Sequence, residues 1–265
     1  MPERSQIPHD LDLDRPSGAR VHDFILGGGS NFSSDRDLAR RILEAAPDVR
    51  TDALANRACL HRAVRTCLGL GVRQFLDVGC GIPTLGTSHH TAQQLAPDAR
   101  VVYVDSEPLA VTQGELLLES NPGAAIVQAD LREVDAVLSS ERTRRLLDPA
   151  EPVAVLMFSV LHFVPEPPSE LIRRYLDAFA PGSLLGLTHF TADHAPRAMR
   201  AVLDLLSDSQ HPGTARSRAE LESLLAGLDL LEPGVVPTAD WRPEPGDSDL
   251  RTALPLSYAA LARKP

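Results

Sequence analysis

Lysine is almost missing from this chain: Lys264 is the only one, and every other member of the 26 basic residues is arginine. Against them stand 36 acidic residues, and the resulting formal charge of −10 argues against a nonspecific nucleic-acid surface. Cysteine is scarce as well. Cys59, Cys67 and Cys80 are scattered, with no Cys-x-x-Cys pair, which excludes a disulfide framework or a structural zinc site as the organising device. Cys59 and Cys67 read as small packing residues on a helix, which fits a reducing compartment. Long apolar runs are absent too: none approaches the roughly 18 residues that a membrane span needs. No membrane partner and no nucleic acid are expected, and the expected location is cytoplasmic.

What is present is enough for a sizeable core: 265 residues, 43% of them hydrophobic and 23% charged. Residues 1–17, "MPERSQIPHDLDLDRPS", have no apolar centre of a secretory signal and read as a flexible leader. Residues 18–72 read as an N-terminal helical lid segment. Within it, "SSDRDLARRILEAAP" opens on Ser and Asp in capping positions and stops at Pro47. The next stretch carries Leu54, Ala58, Val64 and Leu68 at helical spacing and ends at Gly69 and Gly71.

From residue 73 to residue 265 the pattern changes. "VRQFLDVG", "ARVVYVDSE", "AAIVQADL", "PVAVLMFSVL" and "GSLLGLTHF" alternate with helix-length amphipathic stretches. Near-continuous apolar runs are what strands covered on both faces look like, and their alternation with helices predicts an α/β fold with a doubly wound, mostly parallel sheet. The later runs near "LDLLEPGVV" and "PLSYAALARKP" are expected as edge strands, one of them antiparallel. Trp241, in the Pro-rich loop before the final strand, reads as a lid or a surface anchor.

In such sheets ligands sit beyond the carboxyl ends of the strands, where the strand order reverses. The first strand runs into Asp77-Val78-Gly79-Cys80-Gly81, with Thr84 a little further on. Aspartate is depleted inside strands, so Asp77 calls for a reason. Gly79 and Gly81 permit a tight turn and close approach of a ligand. Asp105 and Ser106 end the second strand, where a carboxylate can take both ribose hydroxyls. Asp130 and Leu131 end the third, suited to an adenine amino group and ring. Phe158, Ser159 and His162 end the fourth. A carboxylate at Asp77 would repel a pyrophosphate yet suit a ligand with an ammonium and a sulfonium.

"FLDVGCGIPT" with Asp105 and Asp130 resembles the class I S-adenosylmethionine-dependent methyltransferases. More narrowly, "ARVHDFILGGGSNFSSDR", "NRACLHRAVR", "SVLHFVPE" and "YAALARKP" resemble an actinobacterial S-adenosyl methyltransferase family once listed as a domain of unknown function, over roughly residues 18 to 265. The resemblance implies a Rossmann-like methyltransferase sheet under an N-terminal helical lid, S-adenosylmethionine as cofactor, and a small-molecule acceptor, with secondary metabolism as its setting. It assigns the methionine portion to Asp77 and Gly79–Gly81, the ribose to Asp105, and the adenine to Asp130 and Leu131. Members commonly carry Tyr-Asp-Tyr, a double glycine and a lysine where this chain has His22-Asp23-Phe24 and Gly27-Gly28-Gly29. His162 and His22 are the candidate general bases; His22, Asp23, Phe24, Arg57, His162 and His189 are the candidate acceptor contacts. Two alternatives stay open at this point: a binding protein or non-methylating enzyme on the same fold, and a nicotinamide-dependent oxidoreductase. His89 and His90 are adjacent on a helix, where neighbours point apart, so no metal pair is expected there.

Overall fold

The structure is a computed structural model and describes residues 11–83 and 86–265. Three helices come first: α1 (Gly18–Ile25), α2 (Ser33–Ala45) and α3 (Val49–Gly69). The cap of α2 differs from the expectation. Phe32 is its N-cap residue, Ser33 and Ser34 already lie in the first turn, and Asp35 reaches back from the third position to accept the Phe32 N–H at 2.8 Å. Helix α3 ends as its glycines predict, with Gly71 in the left-handed region at φ +90°.

The sheet follows: β1 (Gln74–Val78), β2 (Arg100–Asp105), β3 (Ala124–Gln128), β4 (Val153–Met157) and β5 (Leu184–Phe190), all parallel to one another. Helices α4 (Ser88–Leu95), α5 (Pro108–Leu118), the short pair α6 (Val134–Ser139) and α7 (Glu141–Leu146), and α8 (Ser169–Asp177) lie between successive strands, and α9 (Pro196–Leu206) follows β5. The strand order is β3-β2-β1-β4-β5-β8-β6, with β6 at Asp229–Leu230 and β8 at Ser257–Arg263. The last strand is antiparallel, as one of the late runs was expected to be, but it is no edge. It sits between β5 on one side and β6 and β7 (Val236–Pro237) on the other. A fully apolar "YAALA" is better paid for between two strands than at a solvent-exposed rim.

Two-residue periodicity divides the core. Leu76, Val102, Val155 and Leu187 face one hydrophobic cluster, while Phe75, Val101, Ala154 and Leu184 face the other. Each such buried side chain contributes about 1.5–3 kcal/mol. Asp77 shares the face of Phe75, beneath α3 and α4, and this parity decides which groups it meets. Trp241 is 1% exposed in that second cluster. It is therefore neither lid nor surface anchor: Arg62, itself buried, holds the Trp241 carbonyl at 2.8 Å and the Thr238 carbonyl at 2.7 Å, and pairs with Asp247 at 2.6 Å.

A third cluster joins the three N-terminal helices to α9, with Val21, Ile42, Ala53, Met199, Val202 and Leu256 among its members. The described end of the leader is tied down rather than loose. Arg20 donates to the Asp12 and Arg15 carbonyls at 2.9 Å, Ser17 N–H donates to Asp35, and Gln210 N–H donates to the Pro16 carbonyl. Arg20 is fully buried and forms ion pairs with Asp35 at 2.9 Å and Glu107 at 3.2 Å. Helix α1 is thereby tied to the loop after β2. Among the described residues no helix is long and apolar enough to cross a membrane.

Candidate cofactor and acceptor site

The reversal of strand order falls between β1 and β4, and the loops leaving these two strands open the site. Gly79 has φ +71°, and an added Cβ would overlap the Val160 side chain of the neighbouring loop. Gly81 has φ +67° but faces open space. The first glycine packs two loops together; the second leaves a cradle beside Asp105. Gly79→Ala should lower stability by about 2–4 kcal/mol through backbone strain and overpacking. Denaturant titration checks this, and Val160→Ala should recover only the overpacking share.

Backbone bonds stitch this turn to β2. Gly79 and Cys80 N–H groups donate to the Val104 carbonyl, and Gly81 N–H donates to Asp105 Oδ2 at 2.7 Å. The other Asp105 oxygen accepts Glu107 N–H at 2.9 Å. Asp77 is 4% exposed and accepts from Ser88 Oγ at 2.7 Å. Burial pushes its carboxyl up to about 6, against the opposing pull of Ser88 and the Arg57 guanidinium. Burial likewise pushes Asp105 up to about 6 despite its backbone donors.

These groups line one cavity of about 430 Å³, whose walls include Asp77, Gly79, Cys80, Gly81, Asp105 and Ser106. Asp130, Leu131, Phe158, Ser159, Arg57, His22 and His162 also line it. Asp130 is held by Arg132, which donates from its backbone N–H at 2.8 Å and from Nε at 2.9 Å. Ser159 adopts φ +53°, and its N–H donates to Thr188 Oγ1, which in turn donates to Asn56 Oδ1 at 2.6 Å. His162 is 2% exposed, stacks on Phe190 at 3.7 Å between ring centroids, and leaves Nδ1 without a hydrogen-bond partner. Burial holds it well below the usual histidine value, and burial with the Arg57 charge takes His22 down to about 4.

Four of the residues read as site residues stand elsewhere. Val78 is fully buried in the sheet core, because strand alternation turns it away from the face of Asp77. Asp23 points into the loop after α1, accepting from Ser30 N–H at 2.8 Å and Asn31 Nδ2 at 2.7 Å. Gly28 is glycine for that reason, since an added Cβ would overlap the Asp23 carboxylate. Phe24 packs in the third cluster with the Arg40 guanidinium 5.6 Å above its ring. His189 is fully buried behind the cavity wall, bonded through Nδ1 to the Phe190 carbonyl and through Nε2 to Arg216. Thr84 lies outside the described residues. Sequence reading missed Asp52, whose oxygens accept from Leu256 N–H at 3.1 Å and Ser257 Oγ at 2.6 Å, and Thr188, which sets the Asn56 amide. No local pattern announces either one, because each partner is more than 130 residues away.

The strand order, the glycine turn after β1 and the acidic strand ends define the Rossmann-like methyltransferase fold. The plantazolicin methyltransferase BpumL in complex with SAH shares it, with a TM-score of 0.55 at 14% identity, covering 93% of this chain and 95% of that one. The chain belongs to the S-adenosyl methyltransferase family, whose profile matches residues 4–265. A Streptomyces avermitilis protein of the DUF574 family is 33% identical with a TM-score of 0.90, covering 96% of this chain and 99% of its own. A candidate methyltransferase of Thermobifida fusca is 36% identical with a TM-score of 0.88, covering 97% and 98%. None of the curated proteins searched matches the chain. This is an S-adenosylmethionine-dependent methyltransferase, and the nicotinamide-dependent and non-methylating alternatives are set aside.

The residues present fit that cofactor. Gly81 offers a cradle that a Cβ would fill, and the two buried carboxylates Asp77 and Asp105 line the cavity, a donor set that suits a ligand carrying positive charge and ribose hydroxyls. S-adenosylmethionine supplies a methyl group made electrophilic by the sulfonium.

Proposed function

We propose that the enzyme methylates a small-molecule acceptor, and that Asp77, Asp105 and Asp130 hold the cofactor along the carboxyl edge of the sheet. The supporting observation is a continuous cavity whose lining runs from those carboxylates to residues of α1, α2 and α3. In this reading Asp77 and Arg57 receive the ammonium and carboxylate of the methionine portion, Asp105 takes the ribose, and Asp130 with Leu131 takes the adenine. Leu131 is fixed for this role, because its carbonyl accepts from Tyr175 Oη at 2.8 Å. Residues 18–72 act as the lid over the domain spanning residues 73–265.

His162 and His22 are the residues to move a proton from the acceptor. Both are neutral at pH 7 and both line the cavity. General-base assistance of this kind is worth about 100- to 10,000-fold, and alignment with water excluded contributes about 7–11 kcal/mol. Three free thiols agree with a reducing compartment, and the reading assigns the enzyme to the cytoplasm.

The class of acceptor is tested by incubating the enzyme with methyl-labelled S-adenosylmethionine and either a low-molecular-weight cell extract or the matching macromolecular fraction. Label in the small-molecule products supports the reading; label confined to protein or nucleic acid overturns it.

A pH dependence follows from the carboxylates. With Asp77 and Asp105 near 6, the cofactor-free protein holds protons below that pH, and a cationic ligand requires them gone. Affinity for S-adenosylmethionine should be level above pH 7 and fall toward pH 5, by up to about tenfold per pH unit for each carboxylate that ionises on binding. Titration calorimetry in buffers of different ionisation enthalpy should show proton release near pH 5.5. A flat profile would remove the two groups from the binding site.

A further inference from the structure

The cavity does not stop at the strand ends. Its far wall is made by Val21 and Ile25 of α1, Ile42 of α2, Ala53 of α3, and Met199 and Val202 of α9, all members of the third cluster rather than of either sheet core. Charge is nearly absent there. Asp52 lines this part, and its oxygens are engaged by the Leu256 N–H and the Ser257 hydroxyl. Arg57 lies further along α3, where Asp77 is the first of its charged neighbours. The polar atom that asks for a ligand is His162 Nδ1: the residue is 2% exposed, lines the cavity, and lies flat on Phe190 with an interplanar angle of 10°. Buried polar atoms are almost always hydrogen-bonded, so an unpartnered nitrogen on a residue that lines a cavity points to a ligand's polar group.

We infer that the acceptor is an uncharged, largely apolar molecule whose body fills the lid half of the cavity and whose hydroxyl meets His162. This rests on the reading that the strand-edge half holds the cofactor. An anionic acceptor would leave water for a wall whose charged group, Asp52, is itself a carboxylate, and a cationic one would find both Asp52 oxygens already engaged by Leu256 and Ser257, whereas an apolar body replaces water against side chains that are already apolar. His162 is neutral at pH 7, because burial holds it far below its ordinary value, so it can accept a hydrogen bond from a hydroxyl without bringing a charge into the chamber.

The test uses the full-length enzyme saturated with S-adenosylhomocysteine and three probes of one shape: 2-naphthol, 2-naphthoate and naphthalene. Equilibrium dialysis should show 2-naphthol bound at least tenfold more tightly than 2-naphthoate. His162→Phe should weaken 2-naphthol about tenfold and leave naphthalene within about twofold. A purely structural role for His162 would move both probes together. Ala53→Phe should fill the chamber and weaken both uncharged probes at least tenfold, with S-adenosylhomocysteine affinity kept within about threefold. Met199→Trp, from a different helix, repeats that measurement should Ala53→Phe fail to fold. Preference for 2-naphthoate, binding of neither aromatic, or unchanged 2-naphthol binding in both filled variants overturns the inference. Failure of S-adenosylhomocysteine to bind would overturn the cofactor reading instead, and the ratio of 2-naphthol to 2-naphthoate on the free protein would still decide the acceptor.

Discussion

Arg20→Met should lower the unfolding free energy by about 3–5 kcal/mol, the cost of removing one partner from a buried ion pair. Arg20 and Asp35 are wholly buried and Glu107 nearly so, and the guanidinium also satisfies the Asp12 and Arg15 carbonyls. Methionine matches the length but withdraws the guanidinium from two carboxylates and two carbonyls, leaving Asp35 with the Ser17 and Phe32 N–H groups as its donors. At this chain length the loss corresponds to a drop of about 6–20 °C in melting temperature. Arg20→Met combined with Asp35→Leu and Glu107→Leu should recover only part of it, because apolar replacement of a buried ion cluster is often close to neutral whereas the Ser17 and Phe32 N–H groups then lose Asp35 as their acceptor. A single variant that melts within about 2 °C of the parent would show that the triad bears no weight.

Asp105→Ala should weaken S-adenosylhomocysteine binding by about 10- to 150-fold, the equivalent of about 1.5–3 kcal/mol for a hydrogen bond to a charged group. The carboxylate has two duties in the geometry: it accepts from Gly81 N–H in the turn and from Glu107 N–H, while facing the cavity. Asp105→Asn separates them. An amide keeps the size and one acceptor oxygen, so the fold should persist and the ribose contact should weaken. Unchanged affinity in both variants, measured by calorimetry on folded protein, would take Asp105 out of the cofactor site.

The parts of this molecule that could be read in the sequence are those whose cause is local. The parallel strands announce themselves because a strand covered on both faces has nearly nothing polar in it, and the exceptions, Asp77 and Asp105, therefore stand out at strand ends. His22-Asp23-Phe24 shows the limit. Read as one motif, the three residues diverge because a helix turns about 100° per residue: His22 enters the cavity, Asp23 organises the following loop, and Phe24 packs toward α2. Strand alternation separates Val78 from Asp77, and His189 from Phe190, in the same way. The Arg20 triad was invisible for another reason. Its members sit 15 and 87 positions apart, and nothing in an amphipathic pattern tells a buried charge with partners from a solvated one.

The bond from Asp52 to Leu256 and Ser257 spans 204 and 205 positions, and β8 lies inside the sheet. During synthesis helix α3, which carries Asp52, emerges early, yet its anchor and the strand β8 are the last described pieces to leave the ribosome. A nascent chain stalled shortly before residue 256 therefore lacks both that anchor and the strand beside β5, and it is at that stage that a chaperone has most to protect.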